Sequence, residues 1–270
     1  MPTEWEDHRD RAHALQDELF SEICSTIEGL SESDWQRLTN CPGWVVRDIV
    51  AHLARSGRTF AAMVDTGMRG ESTFAMSQED RERIERELAE LSMAQLLDRL
   101  RSAHDELRSR LAELSGHALL TLCPHSRGLQ PAWWFADQRL SELAFHGWDL
   151  YFSLGREREI APSVGQHLLP TLLERNVPTW HKTDETDSPR FGIRAVDVAD
   201  GTWQVVPSAP GAIVDRGCTD GDVTIQGPSA PLIRWLYGRA ELEQLERVGI
   251  ASIAGDRGLL GQWKALFPAP

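Results

Sequence analysis

The sequence has 270 residues, enough for one large or two ordinary domains, and a formal charge of −13 at pH 7. That charge argues against nucleic acid or an anionic membrane surface as partner, and no run approaches the roughly 18 apolar residues of a spanning helix. The acidic start Met-Pro-Thr-Glu-Trp-Glu-Asp lacks a signal peptide's apolar core, and Cys24, Cys41, Cys123 and Cys218 lack metal-finger or redox spacing. The expectation is a cytoplasmic protein with reduced thiols, monomer or homodimer.

Ala12, Leu15, Leu19, Ile23 and Ile27 recur at threes and fours and predict a helix from Trp5 to about Glu28, stopped by Gly29. Ser31 to Trp35 reads as a short helical turn, and Thr39-Asn-Cys-Pro-Gly43 as a turn that a helix cannot cross. A second helix is expected from Trp44 to about Thr66, with Ile49, His52, Leu53 and Phe60 near one face. Asp48, one turn before His52, is placed to orient that histidine. Ser77 to Glu90 is very polar, and its charge run from Arg81 reads as a solvated helix face. Ser92-Met-Ala-Gln95 has capping-box form and opens a third long helix to about Leu114. The fourth runs from Pro131 to about Leu154, and four such helices make a bundle whose core commonly hosts metals.

After Gly155 the texture changes. A helix is expected from Ala161 to Glu174, then a polar, turn-rich stretch from Asn176 to Asp187. Phe191 to Val198 and Gly201 to Val206 alternate with period two around the hairpin signal Ala199-Asp-Gly201. Asp222 to Gln226 and a segment near Gly249 to Ser252 add strands, with helices at Ala230–Tyr237 and Asp256–Phe267. The reading is a helical domain over 1–157 and a smaller α+β domain over 158–270.

The chemistry concentrates in Glu142-Leu-Ala-Phe-His146. A carboxylate and an imidazole four apart share one helical face, and burying the carboxylate among Leu143, Ala144, Phe145 and Trp148 demands a partner or a cation. His52 is the best third member, and two histidines with one glutamate make a three-ligand divalent site with an open position. Asp149 is either a partner to a ligand histidine or a solvated helix-end charge. His104 reads as a core histidine, while His125, His167 and His181 read as surface groups. Trp44, Trp133, Trp134 and Trp148 read as core packing, Trp148 also as a wall of the cleft mouth. No cysteine sits beside a base in the sequence, which sets aside a nucleophile from the protein itself.

These residues resemble the mycothiol-dependent maleylpyruvate isomerase family. The likeness rests on Thr39-Asn-Cys-Pro-Gly-Trp-Val-Val-Arg-Asp-Ile-Val-Ala-His52 and Glu142-Leu-Ala-Phe-His-Gly-Trp-Asp149, supported by Asp222-Val-Thr-Ile-Gln-Gly-Pro228 and Trp235-Leu-Tyr-Gly-Arg239. It implies a DinB-like four-helix bundle and a small C-terminal domain of sterol-carrier type. It implies a divalent metal, usually Zn2+, on His52, Glu142 and His146, and mycothiol as thiol cosubstrate. His52 then belongs to the catalytic group, with an arginine of the second domain, Arg239 or in its place Arg234. The expected activity is thiol addition to a small unsaturated or electrophilic substrate, as in cis–trans isomerisation of maleylpyruvate. The alternatives are a mycothiol S-transferase and a non-catalytic module that a metal merely stabilises, which His104 or Cys24 as a fourth ligand would favour.

Overall fold

The computed structural model describes residues 3–156, 158–180, 189–208, 211–218 and 220–268. They divide into two units, Met1–Arg158 and Glu159–Pro270. His181 lies outside the described residues.

The first unit is helical: α1 Glu4–Glu28, α2 Val46–Met68, α3 Gln78–Ala89, α4 Met93–Ala112 and α5 Trp134–Ser153. α2 packs against α4 and α5, and α1 against α5 and α4, which closes a four-helix ring, while α3 lies against the outside of α2. Ile23, Ile49, Leu53, Leu96, Leu100 and Leu143 fill one end of its core. Phe60, Val64, Leu107, Leu111, Trp134 and Phe135 fill the other. Each such side chain contributes about 1.5–3 kcal/mol by leaving water.

The ends of the helices follow local chemistry. Ser92 caps α4 as its spacing predicts: Gln95 N–H donates to Ser92 Oγ at 3.3 Å, and Ser92 N–H to Gln95 Oε1 at 3.1 Å. α5 begins at Trp134, three residues later than the sequence pattern suggests. Gln130–Pro131 are instead extended, paired antiparallel with Leu122–Cys123, and a residue before proline favours that backbone. α2 passes this ladder closely, since a Cβ on Gly67 would lie 2.4 Å from Cys123 Sγ and 2.6 Å from its Cα.

The second unit is α/β. α6 Pro162–Thr171 continues through a π-helical turn, Leu172–Asn176, into Val177–Trp180. Pro170 and Pro178 bracket that turn, and neither has the N–H a regular ladder needs. Helix thus extends into the stretch expected to be turn-rich. The strands β1 Phe191–Ala195, β2 Thr202–Ser208, β3 Gly211–Arg216, β4 Val223–Gly227 and β5 Ser252–Gly255 form one sheet in the order β3-β2-β1-β4-β5. β1 and β4 are parallel, with Ile193 opposite Ile225, and the other pairs are antiparallel. Asp200 turns the β1–β2 hairpin in the left-handed region at φ 49°. Phe191, Ile193, Trp203, Val205, Val223 and Ile225 are fully buried. The remaining helices are α7 Ser229–Leu236, α8 Leu242–Arg247 and α9 Leu260–Leu266. β3 and α8 escape the sequence pattern.

Candidate metal centre

α2 turns Ile49 and Leu53 fully inward, which leaves His52 at the edge of the core. α5 does the same with Leu143, leaving Glu142 and His146 on its rim. The three side chains meet there. His52 Nε2 lies 2.9 Å and His146 Nε2 3.6 Å from the same oxygen, Glu142 Oε2. One donor atom from each residue falls within 4.8 Å of the other two. Their side chains keep 16%, 16% and 14% exposure, so the set is open on one side.

The opposite nitrogen of each imidazole is occupied. His52 Nδ1 is 2.9 Å from Glu85 Oε1, and His146 Nδ1 is 3.2 Å from Asp149 Oδ2. Carboxylates so placed can accept the Nδ1 protons, which with an ion bound would leave both Nε2 lone pairs for it, the arrangement that orients metal-binding histidines. Ligand bonds of 2.0–2.2 Å give a tetrahedral site donor–donor edges of about 3.3 Å, and the two separations from Glu142 bracket that value. Two imidazoles and a carboxylate suit a borderline divalent ion. The residues therefore fit such an ion.

The electrostatics agree. Burial pushes the Glu142 carboxyl up, but the His52 hydrogen bond and the charges of His52, His146 and Arg55 outweigh it and hold the carboxyl well below its usual range. Burial pushes His52 down, yet its bonds to Glu142 and Glu85 raise it. For His146, burial is likewise outweighed, by Asp149 and Cys41. Ionised carboxylates thus draw positive charge into a half-buried pocket, where a divalent cation can replace the protons.

Several expectations need correction. Asp48 does not touch His52: its Oδ2 accepts the Val45 N–H at 2.9 Å and caps α2. Glu85 of α3 takes the orienting place instead, held also by Arg55 Nε at 2.7 Å. It belongs to the charge run read as solvated, where nothing distinguishes it from its neighbours. Asp149 is fully buried rather than solvated. Cys41 does sit beside a base, with Sγ 4.0 Å from His146 Nδ1 and 3.4 Å from Asp149 Oδ2. Trp44 packs against the core as expected and also walls the site, its ring 5.0 Å from that of His52 and 5.8 Å from that of His146.

Both residues come from a tied turn. Cys41 N–H donates to Thr39 Oγ1, Thr39 N–H to the Trp44 carbonyl, and Leu38 bridges to Val45. Trp148 stacks on Phe152. His125 packs among Phe60, Trp134 and Phe135 rather than on the surface, and His167 is buried in the second unit. His104 stacks on Phe20 with centroids 3.8 Å apart, and Cys24 belongs to the apolar core, so neither joins the donors.

In the second unit, Arg239 follows α7 and donates from Nη1 to the Tyr237 carbonyl at 2.9 Å, while Arg234 pairs with Glu159. A cavity of about 740 Å³ among Ala54, Arg55, Thr59, Met76, Ile84 and Ala103 contains none of the three donors. No helix among the described residues is long and apolar enough to cross a membrane.

Comparison with known proteins accounts for both units. The family model described as the mycothiol maleylpyruvate isomerase N-terminal domain matches residues 16–151, and that described as the MDMPI C-terminal domain matches residues 159–262. Two solved structures, described as the mycothiol-dependent maleylpyruvate isomerase and a histidine-to-alanine mutant of it, are similar throughout. Each aligns over 88% of this chain and 90% of its own, with TM-score 0.64 at 18% identity, a likeness of fold. No curated protein matches the sequence.

Proposed function

The chain belongs to the mycothiol maleylpyruvate isomerase family, and from that membership and the donor geometry we propose a metal-dependent enzyme that uses a small thiol of mycothiol type. The substrate class is a small unsaturated keto acid of maleylpyruvate type. One observation carries the reading: both Nε2 atoms converge on Glu142 Oε2 while both Nδ1 atoms are held by carboxylates.

His52, Glu142 and His146 would hold the cation, Glu85 and Asp149 fix the two rings, and Trp44 shields them. A divalent ion there supplies the Lewis acidity that makes a thiol nucleophilic at neutral pH, where a free thiol with pKa about 8.5 is mostly protonated. The open side of the set, rather than a fourth side chain, admits the thiol. Addition of its sulfur to the cis double bond leaves a single bond free to rotate. Expulsion of the same sulfur then restores the double bond in the trans form. An S-transferase would share every one of these residues and release the adduct instead.

The test is metal analysis of the purified chain and its His52→Ala variant, with turnover of maleylpyruvate followed with mycothiol and with glutathione. One divalent ion per chain, lost in the variant along with activity while helix content persists, is expected. Undiminished metal in a folded His52→Ala protein would remove the ligand assignment. Stable adduct in place of the trans acid would select the transferase. Arg239→Met in the same assay tests that arginine, with loss of turnover at unchanged metal content expected.

A further inference from the structure

Trp134, Gln138, Glu142 and His146 recur every four residues on α5 and share one stripe of its surface. The last two belong to the donor set. One turn back, Gln138 Nε2 donates to Glu142 Oε1 at 3.3 Å, while Gln138 Oε1 is buried without a donor. Another turn back, the Trp134 ring meets that of His125 at 4.9 Å and 66°.

His125 Nδ1 accepts the Arg127 N–H at 3.2 Å, and burial pushes its ring down to about 4, so it is neutral. Arg127 and Arg81 lower that ring further by their charges, and Glu142 opposes them. Arg81 lies four residues before Glu85 on α3, on the face that carries Glu85 to His52.

Neither arginine has an acidic partner among the described residues, and Arg81 Nε and Arg127 Nη1 are buried without an acceptor. Arg47 and Arg139 also carry buried nitrogens without an acceptor, but each keeps side-chain hydrogen bonds, Arg47 Nη1 to the Ala89 and Leu91 carbonyls at 2.8 and 3.1 Å and Arg139 Nη1 to the Leu53 carbonyl at 2.7 Å, whereas neither Arg81 nor Arg127 has a side-chain partner among the described residues. Leaving a buried guanidinium nitrogen unpaired is costly, so two beside an open donor set point to a missing anion. In a chain of net charge −13, an anionic ligand needs such a local offset.

We propose that Arg81 and Arg127 bind a carboxylate of the substrate one to two helical turns from the donor set, with Gln138 Oε1 accepting a hydrogen bond from the same ligand. It rests on the preceding reading only for where the chemistry happens, and the planar fork of arginine suits a carboxylate.

The test is calorimetric titration of the full chain with maleate, dimethyl maleate and inorganic phosphate. Wild type is expected to bind maleate and not the ester. Arg81→Met and Arg127→Met should each weaken maleate at least tenfold, with metal content and helix content unchanged. Arg81→Lys and Arg127→Lys, which keep the charge and lose the fork, should weaken it several-fold, and they carry the test if the methionine variants do not fold. No binding to wild type, equal binding of the ester, displacement by equimolar phosphate, or unchanged affinity in the folded variants would overturn the proposal. Undiminished metal in His52→Ala alongside arginine-dependent maleate binding would overturn the metal reading alone.

Discussion

Glu142 Oε2 lies 2.9 Å from His52 Nε2 although the residues stand 90 positions apart on different helices. The contact exists only when α2 and α5 are packed, so whatever binds at this point binds the folded bundle and not the unfolded chain. Removing metal with a chelator should therefore lower the melting temperature of the helical unit. At metal concentrations 100-fold above Kd the difference is about 2.7 kcal/mol. Calorimetry with and without chelator reads it, and an unchanged transition would count against a resident ion.

Glu85→Gln should weaken metal binding by about 10–100-fold, the usual effect of losing the group that orients a ligand histidine. The amide still accepts a hydrogen bond but no longer draws the Nδ1 proton. Competition with a chromophoric chelator measures the change. Retained helix content would separate it from unfolding, since α3 has no fully buried residue.

That poverty of burial is why Glu85 could not be found in the sequence. Helical periodicity reports faces turned to a core, and α3 sets only Ile84, Leu88 and Ala89 among its acids and arginines, so the acid that turns inward resembles the rest. His52, Glu142 and His146 were legible because each interrupts an apolar face, where a polar side chain needs a reason. Asp48 misled for a related cause: its spacing to His52 is also the spacing of a helix cap, and the cap won. β3 was missed because its side chains are mostly half-exposed or exposed, which erases the alternation that betrayed β1 and β2.

Stability should fall in mild acid. His13 and His104 are 2% and 3% exposed, and burial pushes them down, to about 4 and about 3. His13 Nδ1 accepts from Arg108 Nη1 at 2.8 Å, which a protonated ring cannot do. Between pH 6.5 and these values the unfolded chain binds protons that the native chain refuses. Unfolding free energy therefore rises with pH across that window, by up to about 1.4 kcal/mol per unit for each histidine. Denaturant titrations from pH 7 to 4.5 should show the slope, and His104→Phe, which keeps the stack on Phe20, should reduce it.

Gly67→Ala should destabilise the helical unit by about 1–3 kcal/mol, because the new methyl meets the Cys123 backbone as well as its sulfur. Cys123→Ala should fail to rescue it, since the Cys123 Cα alone would still lie 2.6 Å away. Urea denaturation of the single and double variants checks both statements.

The four-residue stripe on α5 has a metric consequence. Each step advances about 6 Å along the axis and swings about 40° around it, so Gln138 and Trp134 stand roughly 6 and 12 Å from the level of Glu142. A ligand anchored by Arg81 and Arg127 would have its reactive carbons set by its own length against this scale. Chain homologues of the true substrate would then dock with their double bond short of the sulfur or beyond it. Discrimination by size would come from the pitch of a helix, with no dedicated wall to exclude the wrong acid.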